Sequence, residues 1–277
     1  MSSVISKVTT LLAVIFLSLS VNVSADSSNG KATVEWMGHG SFKFTTPEGK
    51  VILLDPWIST NPSRPNKYRD FMGLDRVDLI LITHGHVDHF ITPDLQVLIN
   101  KFNPDFIAAW ELQFLMKSLF PESKQLTFKL ANVGGTLDYY GTRIAITEAV
   151  HSGGAQFDKM DGENQYAGNP VGYILEFSNG VKVYHAGDTG LMASMETVIG
   201  EFYQPDIAIL PIGGVFTMGP KEAAYASKLI GAKYVIPQHY GSFPVLETNA
   251  DSFVEHLKHY APDAEAVVIQ PGEEIHF

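Results

Sequence analysis

The sequence predicts an α/β protein in which two β-sheets pack together and helices cover their outer faces. Short β-branched and apolar runs, separated by Gly, Pro and Asp, occur in both halves of the chain. Helical patterns follow each of these strand-rich blocks. A helix buries one apolar stripe against a sheet, so this order of elements favours two central sheets with helices outside.

The first half supplies four strands and two helices. Strands are predicted over residues 32–37, 41–46, 51–54 and 79–83, and helices over residues 92–100 and 111–120. The strand over residues 79–83 is apolar at successive positions, which is typical of a strand buried on both faces. The helix from residue 92 begins with Thr-Pro-Asp, which combines an N-cap, a proline at the first helical position and an early acid.

The second half repeats this alternation of strands and helices. Strands are predicted over residues 134–139, 142–148, 171–177, 181–185, 207–211, 234–237 and 266–269, and helices over residues 194–202, 220–230 and 251–259. Residues 153–170 form the longest stretch without a regular pattern. A stretch of that length is more often a functional loop than a spacer.

Residues 1–25 are predicted to be a signal peptide. Lys7 precedes an apolar run over residues 11–21, and a small-x-small pattern ends at Ala25. The run is shorter than the roughly 20 residues that a transmembrane helix needs. We therefore expect one domain over residues 26–277 that is exported, either to the periplasm or by secretion, and keeps no stable membrane span after signal removal. An uncleaved signal anchor is the alternative.

Composition restricts the partners of the chain. Lys and Arg number 19 against 30 Asp and Glu, which gives a formal charge of −11. Such an acidic chain is not attracted to phosphate backbones, so we expect a small-molecule substrate and no nucleic acid. Cysteine is absent, which excludes disulfides, thiol nucleophiles and thiolate metal sites. Any bound metal must be held by nitrogen and oxygen. The oligomeric state is not predicted.

One short segment concentrates potential metal ligands. His84, His86, Asp88 and His89 lie within six positions, directly after the strand predicted to be buried. Residues two apart in extended chain point to the same side, which brings His84 and His86 together. Unpaired polar groups beside a buried strand are costly, so this cluster indicates a metal site.

Three further candidates follow predicted strands, and the number of donors predicts two ions. They are His151, Asp188 and His239. Zinc bound by nitrogen and oxygen takes four ligands, sometimes five, so seven donors are too many for one ion. The predicted arrangement has one ion held by His84, His86 and His151, a second held by Asp88, His89 and His239, and Asp188 bridging the two. Imidazole and carboxylate ligands suit zinc, and also accept Mn²⁺ or Fe²⁺.

The order of these residues resembles the metallo-β-lactamase superfamily of metal-dependent hydrolases. His84-x-His86-x-Asp88-His89 is followed in order by His151, Asp188 and His239. Further segments, Trp-Met-Gly-His-Gly-Ser from residue 36 and Tyr-His-Ala-Gly-Asp-Thr-Gly from residue 184, are similar to a branch of predicted hydrolases related to ascorbate-6-phosphate lactonases. This branch is also similar, more distantly, to a phospholipase D that cleaves N-acyl-phosphatidylethanolamines.

The resemblance implies a four-layer αββα sandwich of two mixed β-sheets, with the metals at one edge. It implies the same ligands as the donor count. It also implies that Asp88 is catalytic, orienting the hydroxide and passing a proton to the leaving group. Asp188 is present and cysteine is absent. β-Lactamases of this superfamily typically lack the bridging aspartate, and many use a cysteine ligand, so the resemblance does not imply hydrolysis of β-lactam antibiotics.

Three other residues are predicted to contact substrate or to support the metal ligands. They are His39 in a Gly-His-Gly turn, Asp55 after the third strand, and His185, for which a place in the core is an equal alternative. Trp57, Phe90, Phe216 and Tyr240 lie near the proposed ligands in sequence and are candidates for an apolar wall or for the core. A cationic cluster steers an anionic substrate or belongs to a solvated loop; its members are Arg64, Lys67 and Arg69.

The leading functional hypothesis is a hydrolase in which a hydroxide bridging two metal ions cleaves an ester, lactone or amide bond. A phosphodiesterase on the same binuclear centre is the alternative enzyme. A non-catalytic exported metal-binding protein is the alternative from another class. The chain contains no Gly-x-Ser-x-Gly or Gly-x-x-x-x-Gly-Lys pattern, so serine hydrolases and nucleotide binders have no support.

Overall fold

Two seven-stranded β-sheets form the centre of the molecule in the computed structural model, which describes residues 30–121, 126–156 and 164–277. The strands of this part are β1 (Thr33–Gly38), β2 (Ser41–Thr45), β3 (Val51–Leu54), β4 (Leu79–Ile82), β5 (Asp105–Ala108), β6 (Thr127–Phe128), β7 (Thr136–Tyr139), β8 (Thr142–Glu148), β9 (Gly154–Gln156), β10 (Asn164–Tyr166), β11 (Val171–Glu176), β12 (Lys182–His185), β13 (Ile207–Pro211), β14 (Tyr234–Gln238), β15 (Glu265–Ala266) and β16 (Glu274–His276). The helices are α1 (Thr92–Phe102), α2 (Trp110–Leu119), α3 (Pro220–Ile230) and α4 (Asp251–Tyr260), with a 3₁₀ segment (Asn66–Phe71) and a π-helical segment (Met195–Tyr203).

Each sheet is antiparallel on one side and parallel on the other. The first sheet has the order β16-β1-β2-β3-β4-β5-β6, with antiparallel pairs up to β3 and parallel pairs from β3 onward. The second has the order β15-β14-β13-β12-β11-β8-β7, with parallel pairs up to β12 and antiparallel pairs beyond it. Both sheets are therefore mixed. In such sheets ligands bind beyond the carboxyl ends of parallel strands.

The two sheets share one hydrophobic core. Buried side chains from both sheets belong to a single contact cluster. The Tyr173 hydroxyl on β11 donates to the Ile82 carbonyl oxygen on β4 at 2.7 Å, and the ring centroids of Phe42 and His185 lie 5.2 Å apart. Helix α3 packs against β13, α4 and the π-helical segment. The predicted sandwich of two mixed sheets with flanking helices is confirmed.

Most predicted elements are present, and the differences involve short strands. Strand β4 is buried along its whole length and lies between parallel neighbours, as predicted. The four-residue β5 was not predicted, and residues 153–170 contain the small β9–β10 hairpin. The strand predicted over residues 266–269 is wrong, because β15 ends at Ala266 and the chain forms β16 further on.

Among the described residues, none of the helices combines the length and apolar character needed to cross a bilayer. The predicted signal peptide, residues 1–25, lies outside the described residues and stays a prediction.

A buried carboxylate ties the 3₁₀ segment to the first sheet. Glu35 on β1 is 0% exposed, and its carboxylate lies 2.7 Å from Lys43 Nζ and 2.6 Å from Lys67 Nζ. The Tyr68 hydroxyl donates to Glu35 Oε1 at 2.7 Å. These contacts compensate the desolvation of Glu35, because a buried carboxylate is stable only when it is paired and hydrogen-bonded.

We predict that Tyr68→Phe lowers the free energy of unfolding by about 1.5–3 kcal/mol, because it removes a hydrogen bond to a buried charge. Urea denaturation measures the change. Tyr140→Phe is the matched control, because the Tyr140 side chain is exposed, and it should leave the unfolding midpoint unchanged. Equal midpoints for both variants would show that the Tyr68 hydroxyl does not stabilise Glu35.

Candidate metal centre

The predicted site residues follow the ends of strands at one edge of the sandwich. Asp55 comes directly after β3, residues 84–89 follow β4, His151 follows β8, Asp188 follows β12, and His239 follows β14. These loops belong to both sheets, and the donor atoms of their side chains converge as described below.

The first group of donors consists of three imidazoles. His84 Nε2 lies 2.9 Å from His86 Nδ1, and His151 Nε2 lies 3.2 Å from the same nitrogen. Ligand atoms of the three residues lie within 4.8 Å of one another. Three ring nitrogens facing one another at these distances form a nitrogen-only site of the kind that transition metals occupy.

The second group lies beside the first. It contains Asp88, His89 and His239, joined by His39, with ligand atoms within 4.8 Å of one another. Asp88 Oδ1 lies 3.9 Å from His89 Nε2, and Asp88 Oδ2 lies 4.0 Å from His239 Nε2. This group therefore combines carboxylate and imidazole donors.

Asp188 lies between the two groups. Its Oδ2 atom is 3.0 Å from His239 Nε2 and 3.3 Å from His89 Nε2 in the second group. The same oxygen is 3.7 Å from His151 Nε2 and 3.9 Å from His84 Nε2 in the first group. The structure thus brings all seven predicted donors together, with one carboxylate oxygen close to both sets.

Asp55 orients two of the imidazoles through hydrogen bonds, one of them direct and the other through Thr83. Its carboxylate is 0% exposed and accepts hydrogen bonds from Thr83 N at 2.7 Å, from Thr83 Oγ1 at 2.5 Å and from His89 Nδ1 at 2.8 Å. Since Thr83 Oγ1 uses its proton on Asp55, it accepts from His84 Nδ1 at 2.9 Å. Both rings then carry a proton at Nδ1, so Nε2 is the nitrogen of His84 and of His89 that faces the site.

His39 holds the carboxylate of Asp88. The ring is 0% exposed, with Nε2 3.1 Å from Asp88 Oδ2 and Nδ1 2.5 Å from Ser242 Oγ. Burial lowers the pKa of His39 to about 4, so the ring is neutral at neutral pH. A carboxylate only accepts, so Nε2 donates to Asp88 and Nδ1 accepts from the Ser242 hydroxyl. His39 therefore supports a proposed metal ligand, which is one of the two roles predicted for it from the sequence.

His185 is buried away from this arrangement. Its Nδ1 accepts a hydrogen bond from Gly187 N at 3.1 Å, and its ring packs edge-on against Phe42. Burial lowers the pKa of His185 to about 3. The residue is outside both donor groups and shapes the turn that leads to Asp188.

The electrostatics of the site fit a bound cation. In the described part of the chain, the ion-pair partners of Asp55, Asp88 and Asp188 are all histidines. Burial opposes ionisation of Asp188, but the His239 and His89 rings hold the pKa of that carboxyl well below its usual range. Burial likewise opposes protonation of His89, yet Asp188 and Asp88 raise its pKa well above the ordinary value. Buried carboxylates without Lys or Arg partners require positive charge, which metal ions supply.

Unpaired polar atoms lead to the same conclusion. His89 Nε2 and Asp188 Oδ1 are buried and have no hydrogen-bond partner of good geometry among the described residues. Buried groups of this kind are normally satisfied, and metal coordination satisfies them. The residues present therefore fit a metal centre.

Two glycines allow the loops to approach one another. A Cβ atom on Gly40 would lie 2.6 Å from His89 Cε1, and one on Gly85 would lie 2.7 Å from Ala155 Cβ. Gly85 therefore lets the β9–β10 hairpin pack against the His84–His89 loop. Gly40 leaves the space that the His89 ring occupies.

A cavity of about 260 Å³ opens above the donors, and some of its lining was not predicted. Phe216, predicted as a wall residue, lines it, together with Phe243 and Ser152, which the sequence did not single out. Ser152 Oγ lies 3.1 Å from His86 Nε2. The other three wall candidates are buried: Trp57, Phe90 and Tyr240. No local pattern marks Ser152, Ser242 or Phe243, because their partners are distant in sequence.

Comparison with known proteins assigns the family. A family model described as a β-lactamase superfamily domain matches residues 33–239. The chain therefore belongs to this superfamily and has the metallo-β-lactamase fold. The superfamily resemblance seen in the motifs is confirmed, whereas the relation to ascorbate-6-phosphate lactonases stays a prediction.

Several similar proteins match this chain over nearly the whole of their own length. A protein from Herpetosiphon aurantiacus named as a metal-dependent hydrolase is 41% identical over 242 residues, covering 87% of this chain and 96% of the relative. A Chloroflexus aurantiacus protein of the same name is 39% identical over 244 residues, covering 88% and 96%. A solved structure of a metallo hydrolase from Ignicoccus hospitalis has a TM-score of 0.74 and 34% identity, covering 89% of this chain and 98% of that chain.

We predict that Asp55→Asn weakens metal affinity by about tenfold to a hundredfold, because one carboxylate orients both His84 and His89. Metal titration of the purified, chelator-treated protein measures the affinity. Asp75→Asn is the control, since Asp75 is exposed. Unchanged affinity in Asp55→Asn would contradict the orienting role.

We also predict that Gly40→Ala reduces bound metal, because the new methyl group would displace the His89 ring. Elemental analysis of purified protein measures the metal content, and circular dichroism verifies folding. Gly190→Ala is the matched control, since the nearest atom to its added Cβ lies 3.8 Å away. Full metal content in folded Gly40→Ala would show that this close approach is not required.

Proposed function

We propose that the protein is a hydrolase that holds two divalent metal ions and cleaves an ester, lactone or amide bond. His84, His86 and His151 would hold one ion, and Asp88, His89 and His239 the other. The observation that carries the proposal is the position of Asp188 Oδ2, which lies 3.0–3.9 Å from ring nitrogens of both groups. A single carboxylate oxygen with these neighbours is suited to bridging two ions.

The proposed metals are zinc, with Mn²⁺ or Fe²⁺ as alternatives, because imidazole and carboxylate donors accept all three. When bound, such a pair lowers the pKa of water towards neutrality and polarises the substrate carbonyl. The names of the relatives from Herpetosiphon and Chloroflexus support metal-dependent hydrolysis. The Ignicoccus structure supports it as well.

Asp88 is the proposed proton carrier. It lines the cavity, and its side chain is 20% exposed, so it can reach a bound substrate. His39 engages Oδ2, which leaves Oδ1 available to accept a proton from the attacking water and return it to the leaving group. The Ser242–His39–Asp88 hydrogen bonds restrict rotation of this carboxylate. Asp88 therefore acts in the same orientation throughout the reaction.

Two alternatives to this hydrolase would use the same metal centre. A phosphodiesterase would act on a charged phosphoryl group, and a metal-binding protein would show no turnover. A panel of lactones, esters and bis-aryl phosphates, assayed with zinc, manganese and iron, separates the three. Export of the protein remains a proposal, based on the pattern of residues 1–25.

We predict that Asp88→Asn retains most of the bound metal but loses about a hundredfold to ten-thousandfold in kcat, the usual contribution of general acid–base catalysis. The amide keeps one oxygen for coordination but cannot carry the proton. Elemental analysis and initial rates on the best substrate of the panel give the two readouts. Asp138→Asn, on the exposed β7–β8 hairpin, is the control. Wild-type kcat in Asp88→Asn would reject the proton-carrying role.

A further inference from the structure

The walls of the cavity above the donors divide into two chemical types. The polar lining residues are proposed metal ligands and Ser152. The apolar lining residues are two phenylalanines: Phe216, from the loop after β13, and Phe243, from the loop after β14. At about 260 Å³ the space is slightly below the roughly 300–1,000 Å³ of common ligand pockets, so it suits a small molecule.

Phe243 is partly exposed and packs against two rings beside the cavity. Its ring stacks on Trp57 with centroids 5.7 Å apart and meets the His39 ring edge-on at 5.5 Å. Trp57 is in turn fixed by a hydrogen bond from Nε1 to Thr60 Oγ1 at 2.7 Å. The Phe243 ring thus contacts His39, and His39 contacts Asp88. This aromatic surface next to the site is suited to the apolar part of a substrate.

Lys and Arg side chains are absent from the described lining of this cavity. The cluster considered from the sequence does not supply them. Lys67 Nζ lies 2.6 Å from Glu35 Oε1 and donates to the Gly272 carbonyl, and Arg64 donates to the Ser59 carbonyl. Sites that recognise phosphate or carboxylate groups normally place Arg or Lys against them. The lining therefore does not match a substrate with an anionic group beyond the scissile bond.

Exposed apolar residues adjoin the cavity residues in sequence. Val87, between two proposed ligands, is 65% exposed, and Val150, next to His151, is 57% exposed. Val215, next to Phe216, is 71% exposed, and Val245, two residues after Phe243, is 54% exposed. The loops that carry the cavity residues therefore also expose apolar side chains to solvent.

We propose that the substrate is an uncharged carboxylic acid derivative whose apolar acyl or aryl group lies against Phe216 and Phe243. The inference rests on the proposed hydrolytic function and specifies its substrate class. Phe216 and Phe243 then determine specificity, because they contact the part of the substrate that does not react. Within the described lining, the lack of Lys and Arg disfavours substrates with a carboxylate or phosphate in that position.

Two esters with one leaving group test the preference. Metal-loaded full-length protein is assayed with p-nitrophenyl pentanoate and with mono-p-nitrophenyl succinate, whose acyl chain ends in a carboxylate. We expect kcat/KM to be about tenfold or more higher for the pentanoate, and this ratio to fall several-fold in Phe216→Ala and in Phe243→Ala. Phe202→Ala is the control, since Phe202 is 75% exposed and lies outside this cavity. Equal or better use of the succinate ester would overturn the inference.

A binding experiment separates this inference from the proposed function. Benzylacetone, an uncharged aryl ketone without a hydrolysable bond, is titrated into the protein with and without metal, and tryptophan fluorescence follows binding. We expect the Kd to rise about fivefold to tenfold in Phe243→Ala and to stay unchanged in Phe202→Ala. If no ester is hydrolysed but this dependence is found, the hydrolytic function fails and the apolar site stands. If the Kd is the same in all variants, the apolar site fails.

Sedimentation measurements address another occupant of the same surface. We expect the mass of the protein to be the same for wild type and Phe216→Ala. A dimer that Phe216→Ala dissociates would overturn the inference, because the apolar residues would then be covered by a second copy of the chain.

Discussion

The buried carboxylate of Asp55 is the constraint on which the site depends. Its backbone N–H donates to Leu81 O at 2.9 Å, and its side chain accepts from Thr83, so it links the ends of β3 and β4. The same carboxylate fixes His89 directly and His84 through the Thr83 hydroxyl. Its φ of 45° is unusual for a residue other than glycine, and the surrounding hydrogen bonds maintain that conformation. One buried carboxyl group thus connects sheet formation to the orientation of two metal donors.

The architecture explains why donors so distant in sequence meet. Each sheet has three antiparallel strand pairs followed by three parallel pairs. The two sheets therefore have the same pairing pattern, although the sequence shows no internal repeat. The carboxyl ends of β4, β12 and β14 carry donors from both halves of the chain. Packing the two sheets against each other places these ends side by side. The first donor group lies on loops from both sheets, and Asp188 from the second sheet approaches both groups.

Much of the site was predictable because its residues occur in a dense local pattern or directly after recognisable strands. His84, His86, Asp88 and His89 are close in sequence, and His151 and His239 follow strong strand patterns. His185 shows where such reasoning ends, because its position resembles that of the donors while its ring packs on Phe42. The direction of a side chain at a strand end depends on register and twist, which the sequence does not specify.

Long-range contacts were beyond prediction for a similar reason. Ser242 and Phe243 meet His39 and Trp57 only after the whole chain has folded, and nothing in their neighbourhood marks them. Strand β9 has only three residues, and β5 contains a run of only three apolar residues after Asp105, so neither produces a clear strand pattern. Their pairing is determined by neighbours, since β5 lies between β4 and β6 and β9 pairs with β10.

The position of β16 has a consequence for biosynthesis. This strand pairs with β1, although almost the whole chain separates them, and Phe277 and Ala32 exchange backbone hydrogen bonds beside it. During vectorial synthesis on the ribosome, the outer border of β1 therefore lacks its neighbour until translation of the second sheet is complete. An unprotected strand of this kind is a template for pairing between nascent chains. Chaperone protection in that interval would matter more for this topology than for one whose first strand is enclosed early.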